Sequence, residues 1–329
     1  MEHNMPKFDS DTDFMRIAAS FFVVLLHACS EGSEAVLTAN CICRFSVPVF
    51  VLISGRYLLH GGKSPSVFLK KSLRFIGLML LWSAIYYFYF SLTGRPPAKS
   101  FPVHLLTEPM QLWYFYMIAC LYLLSPILSV FTEAAPKSIY VFALAVTALI
   151  GSPIMILLRT GRFPILTAIM DKTKLPVELG FIFLFLLGDY FQRYKPKLPL
   201  WSWAGLFLLG TGLTVGGTMY LSRNGTVNSL LMSFFAPGAM CAAIGFFGYC
   251  SALLSKRRLS EKTGNLLHRA ASATLGIYLV HPLVLDILSR FVAYPSRLLL
   301  AVLYTVIAFL TSALVSLLIR RIPLIRHIV

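Results

Sequence analysis

Phe14-Met-Arg16-Ile-Ala-Ala-Ser-Phe-Phe-Val-Val-Leu-Leu-His27-Ala28 is an apolar run broken by one guanidinium and one imidazole. Taken as a span over 14–31, it is long enough to cross a bilayer as a helix. The steps from Arg16 to His27, at about 1.5 Å each, separate the two by roughly 16 Å along one helix. That is about half the thickness of the hydrocarbon core. Ionisable groups inside a membrane span are costly, so they read as functional. A fixed cation near one face and a titratable imidazole near mid-depth point to a device that handles an anionic molecule and a proton.

The rest of the chain fits this reading. Its 329 residues are 57% hydrophobic and 13% charged, with a mean hydropathy of +0.76. A soluble domain carries about 25% charge. The fold class expected is an all-α integral membrane protein, a bundle of about ten transmembrane helices in one domain over 1–329. The spans fall near 14–31, 41–59, 72–92, 111–131, 138–158, 175–193, 201–221, 228–253, 271–290 and 297–319. The first 13 residues are polar and show no cleavable signal pattern. An even number of spans puts both termini on one side. With the N-terminus inside, 19 of the 29 Lys and Arg fall in inner segments and 10 in outer ones, so both termini are expected in the cytoplasm. The net charge of +16 does not indicate nucleic acid, because the basic residues sit in short loops between apolar runs. Cys29, Cys41, Cys43, Cys120, Cys241 and Cys250 form no CxxC pair and no cluster with zinc-ligand spacing. They read as small apolar helix residues, with a disulfide from Cys29 to Cys41 or Cys43 as the alternative. Trp82, Trp113, Trp201 and Trp203, with Tyr86, Tyr87 and Tyr89, read mainly as an interfacial aromatic belt.

Several residues could carry chemistry. His27 can take a proton in one step and return it in another, activating a hydroxyl, or accept an acyl group itself. An interhelical hydrogen bond is its structural alternative. Arg16, at the inner edge of its span, is either a snorkelling anchor or a phosphate or carboxylate contact. Lys71 and Arg74 are three apart and share a helix face at the inner start of span three, which suits a polyphosphate as well as an anionic lipid surface. Pro48 should disturb span two and free backbone carbonyls, and Ser54-Gly55 allows a close helix approach. Arg44, on the outer side, could meet a hydroxylated or anionic acceptor, with an ordinary outer-loop cation as the competing reading. Glu178 and Asp286 are each candidates to pair with His27 or Arg44, with terminal solvation the competing reading for Glu178. His281-Pro282 lies mid-span, where the proline breaks the helix ladder; His281 is either structural or part of the substrate site. No metal motif, Walker loop, GxSxG elbow or Rossmann glycine pattern occurs at a suitable place.

Together these residues resemble the acyltransferase-3 family of bacterial membrane O-acyltransferases. The resemblance rests on Arg16-x10-His27, Ser46-Val-Pro-Val-Phe-Val-Leu-Ile-Ser-Gly55, Lys71-x-x-Arg74, Leu112-Trp-Tyr-Phe115 with Leu121-Tyr-Leu-Leu-Ser-Pro126, Phe185-Leu-Leu-Gly-Asp-Tyr190 and Ile277-Tyr-Leu-Val-His-Pro282. These matches run in order through nearly the whole chain. The resemblance implies a ten-helix bundle in the bacterial cytoplasmic (inner) membrane, with no tightly bound cofactor and acetyl-CoA as acyl donor from the cytoplasm. The implied acceptor is a hydroxyl of a surface glycan or its lipid-linked precursor. It places Arg16, Lys71 and Arg74 on the donor's phosphates and His27 at the thioester. Lys71, where the family has Arg, keeps the charge and loses the planar two-point fork. The plan is most like the stand-alone glycan O-acetyltransferases of the family. A transporter or flippase of a small anionic or glycan substrate, using the same buried charges as a pathway, is the alternative from another class.

Overall fold

The computed structural model describes residues 9–29, 32–60, 63–107, 110–154, 156–157, 160, 164–165, 168, 175–254, 259–291 and 297–322. Among them there are helices and turns and no strand. The helices are α1 Ser10–Ala28, α2 Glu34–Ile42, α3 Ser46–Leu58, α4 Pro65–Leu92, α5 Phe101–Leu106, α6 Trp113–Ala134, α7 Lys137–Leu149, α8 Leu175–Tyr194, α9 Leu200–Leu221, α10 Pro237–Leu254, α11 Glu261–Ser272, α12 Thr274–Phe291 and α13 Leu298–Arg321. Eight helical segments among the described residues are long and apolar enough to cross a membrane. The spans expected at 14–31 and 175–193 are also helical, as α1 and α8. The loop cations Lys7, Arg159, Arg162, Lys172, Lys174, Lys256, Arg257, Arg258 and Arg326, which entered the count of sidedness, lie outside the described residues.

Two elements depart from the simple span pattern. Span two begins earlier than expected, at Glu34, and is interrupted by a 3-10 turn over Cys43–Phe45. Pro48 explains the interruption. It offers no N–H to the Arg44 carbonyl four residues back, so the turn before it tightens, and the Ser46 hydroxyl donates to the Cys43 carbonyl at 2.7 Å. The second departure is α11, a polar helix after α10. Ser260 starts it, its hydroxyl accepting the Thr263 N–H at 3.2 Å.

The packing separates a central set of helices from a peripheral one. In the Glu34–Leu58 segment 67% of the apolar window is buried, whereas in α9 only 17% is. Leu208 and Leu209 on α9, Phe142 on α7, and Leu299 and Leu310 on α13 stand exposed, as a hydrocarbon-facing surface requires. The centre is built by α3 against α8, with α1, α6 and α10 around them. Gly55 and Gly188 make the crossing of α3 and α8 possible. A Cβ at Gly55 would lie 1.8 Å from the Phe185 carbonyl oxygen, and one at Gly188 2.0 Å from that of Leu52. The expected close approach at Gly55 is thus present, and its counterpart is Gly188. Phe45, Leu52, Phe185 and Phe247 fill the core beside the crossing.

Candidate active site

The cavity begins at the last turn of α1. His27 borders a space of about 220 Å³ also lined by Val23, Leu26, Arg44, Val47, Gln111, Trp113, Tyr114, Phe234 and Tyr278. It therefore sits where α1 ends and where α6 and α10 begin. Arg44 lies in the 3-10 turn that Pro48 enforces. Its Nε and Nη2 both donate to the Asn40 Oδ1, at 3.0 and 2.6 Å. Asn40, itself buried, gives its Nδ2 hydrogens to the Leu26 carbonyl at 3.0 Å and the Cys29 carbonyl at 2.8 Å. One amide thus satisfies two terminal carbonyls of α1 and fixes the guanidinium beside them. Arg44 has no ion-pair partner among the described residues. Its positive charge reaches His27. The guanidinium carbon lies 5.4 Å from the Phe234 ring centre, and Phe234 stacks on Trp113 at 5.7 Å. This aromatic wall holds a cation without neutralising it.

The opposite wall is a hydrogen-bonded frame. The Tyr278 hydroxyl donates to the Gln111 carbonyl. Gln111 Nε2 donates to the Tyr86 hydroxyl at 2.6 Å, which donates to the Leu279 carbonyl at 2.7 Å. Gln111 Oε1 is buried and has no hydrogen-bond partner among the described residues. His281 is fully buried behind the cavity, its ring centre 5.2 Å from that of His27.

At the other end of α1 the cations gather. Arg16 lies 3.9 Å from Asp13 and over the Tyr57 ring at 5.9 Å. The charges of Arg16 and Arg74 both reach the Tyr122 hydroxyl. Lys71, exposed on α4, adjoins Lys63, whose ammonium donates to the Tyr57 carbonyl. Burial and the Lys71 charge push the Lys63 amine below its ordinary value. Between the two ends the Ser54 hydroxyl stands beside the hydroxyls of both Tyr122 and Tyr114. Tyr114 lines the cavity, so polar groups connect the cationic end to His27.

Of the residues singled out in the sequence, the structure brings His27 and Arg44 together at the cavity, with His281 one layer behind. It gathers Arg16, Lys71 and Arg74 at the far end. Glu178 lies on α8, and its side chain falls outside the described residues. Asp286 pairs with neither His27 nor Arg44. It accepts from Arg95 at 2.9 and 2.6 Å, from the Tyr89 hydroxyl at 2.7 Å and from Arg290 at 3.1 Å. All six cysteines are free thiols, so the disulfide alternative is not formed. No metal-binding cluster occurs among the described residues. Asn40, Gln111, Tyr278 and Phe234 escaped the sequence reading. Asn40 lies one helical turn before Arg44, and Gln111 and Tyr278 sit beside or within quoted motifs, which was the available signal.

Comparison with known families places this geometry. The acyltransferase-3 family, described as an acyltransferase domain (Acyl_transf_3), matches residues 9–321, nearly the whole chain. The chain belongs to this family of membrane acyltransferases. No curated protein and no solved structure matches it.

Proposed function

We propose that the protein transfers an acetyl group from cytoplasmic acetyl-CoA to a hydroxyl of an extracytoplasmic glycan or lipid-linked glycan precursor, in a bacterial inner membrane. In this reading α1 and α8 cross with the eight apolar segments, giving ten spans with both termini in the cytoplasm. The observation that carries the reading is the division of labour along α1. Cations crowd one end, a base and an unneutralised guanidinium share a cavity at the other, and the Ser54, Tyr114 and Tyr122 hydroxyls lie between.

Coenzyme A's phosphates are too polar for hydrocarbon, so they stay with Arg16, Lys71, Arg74 and Lys63. The thin pantetheine arm reaches inward and presents the thioester in the cavity. His27 removes the acceptor's hydroxyl proton as the oxygen attacks the thioester carbonyl. The carbonyl π electrons move to oxygen, and Arg44 faces the resulting negative charge. When the intermediate collapses, the C–S bond breaks and the imidazolium returns the proton to the departing thiolate. The products are an O-acetyl ester and the free CoA thiol; the acetyl group moves outward and the acceptor's proton moves inward with the thiol.

The test is thiol release by protein reconstituted in lipid vesicles, with acetyl-CoA on the cytoplasmic side and glycan acceptors outside. Thiol is expected to appear stoichiometrically with ester and only when acceptor is present. Movement of a glycan across the vesicle with no thiol formed would replace transfer by transport.

A further inference from the structure

The pair His281-Pro282 carries a chemical logic that the acyl-transfer reading leaves unused. Pro282 has no N–H, so the Tyr278 carbonyl four residues back loses its partner within the helix. The His281 ring stands in that gap. Its Nδ1 lies 3.0 Å from the Ile277 carbonyl oxygen and also faces the Tyr278 carbonyl. A carbonyl oxygen only accepts, so Nδ1 bears the ring hydrogen and Nε2 carries the lone pair. The residue before a proline thus has its tautomer dictated by the break the proline makes.

Nε2 is then a buried acceptor with no hydrogen-bond partner among the described residues. Such an orphan is rare in a packed interior and calls for an explanation. The neighbouring imidazole supplies one. The His281 and His27 ring centres are 5.2 Å apart with planes inclined by 43°. At that separation two ring nitrogens turned toward each other come within hydrogen-bond reach. In a free site such contacts are often long and close only when the reactants are bound.

We infer that His281 is a positioning residue whose Nε2 accepts the N–H of His27, so that the other His27 nitrogen faces the cavity as a lone pair. When His27 takes the acceptor's proton, the N–H shared with His281 stays in place and holds the ring in line to hand that proton to the thiolate. A neutral imidazole with a fixed tautomer here performs the orienting task that a carboxylate performs in Ser-His-Asp triads. This inference rests on the acyl-transfer reading above.

The test compares two substitutions in steady-state kinetics, thiol release being followed while acetyl-CoA and acceptor are varied in turn. His281→Gln sets an amide oxygen near the position of Nε2, whereas His281→Phe fills the volume without an acceptor. His281→Phe is expected to lower kcat roughly 100-fold, the scale of a misaligned general base, with both KM values within about twofold of the wild type; His281→Gln is expected to retain activity within about tenfold. Should His281→Phe not assemble in the membrane, His281→Asn takes its place with the same expectation, since it keeps a donor for Ile277 and lacks the far acceptor. Equal losses in the two variants, a loss expressed in KM, or no loss would each overturn the inference. His27→Ala, run in parallel, separates the two readings. If it is fully active, acyl transfer by His27 is wrong; if it is dead while His281→Phe is normal, only the role of His281 is.

Discussion

The two ends of α1 differ in how completely their polar groups are partnered. In the first turns Asp11, Thr12 and Asp13 are all buried, and each is answered. Asp11 accepts from Arg56 at 2.7 Å, Thr12 meets the Tyr57 hydroxyl at 2.8 Å, and Asp13 meets His268 at 3.0 Å. Arg56 extends the network to Gln192 at 3.1 Å. The last turn is the reverse. Arg44 meets a neutral amide and an aromatic face rather than a carboxylate, and among the described residues Gln111 Oε1 and His281 Nε2 have no hydrogen-bond partner. Buried polar groups that are all satisfied tie helices together, whereas an unsatisfied one calls for a partner. One helix thus carries a scaffold joint at its start and the candidate site at its end.

Changes at the two ends should separate along the same line, and the largest effect belongs to the imidazole. His27→Ala should lower kcat by roughly 1,000-fold, the range expected for loss of a general base, with the melting temperature little changed. Residual activity near the wild type would erase the distinction between the ends. Arg44→Ala should cost about 100-fold in kcat, as loss of an oxyanion donor does, and Arg44→Lys should restore only part because the Asn40 contact is two-pronged. At the opposite end Asp11→Ala leaves the Arg56 guanidinium without its carboxylate. Breaking a buried pair in this way costs about 3–5 kcal/mol, to be seen as a lowered unfolding temperature in detergent with kcat per folded molecule preserved. Lys71→Ala combined with Arg74→Ala should raise the KM for acetyl-CoA about tenfold, the worth of one or two charge-assisted contacts, while kcat holds.

The smallest effect concerns Asp9, just before α1. Burial and the adjoining Asp11 carboxyl push its pKa from 3.8 up to about 7. A carboxyl whose folded value is raised stabilises the fold fully below its unfolded value and loses that contribution as pH rises through about 7. The melting temperature should therefore fall by a few degrees between pH 6 and pH 8. Asp9→Asn, which keeps a hydrogen for Asp11 and cannot ionise, should flatten the slope. A slope unchanged in that variant would assign it elsewhere.

The sequence exposes one half of this contrast better than the other. Arg16 and His27 are legible because charges stand out in an apolar run and their helical spacing converts directly into depth. Apolar run length likewise anticipates the long helices. Partner choice is not legible, because it depends on contacts between helices distant in sequence. Asp286 looked equally able to meet His27 or Arg44, and only packing brings Arg95, 191 positions away, onto it. The 3-10 turn shows the intermediate case. Pro48 announced a disturbance, but its effect falls on the preceding turn, and that shift sets Arg44 toward the cavity. Asn40 was overlooked because the second span read as starting after it, whereas the helix begins at Glu34 and carries Asn40 one turn before Arg44.

The Asn40 clamp also has a mechanical consequence. A single side chain grips the tail of the helix that bears the imidazole and the cation that faces it, so tilting or sliding that helix drags both groups together. His27 and Arg44 then move as one rigid jaw. Widening the chamber then falls to the Trp113–Phe234 stack beside Arg44, whose second ring rides on a short stretch of chain between helices.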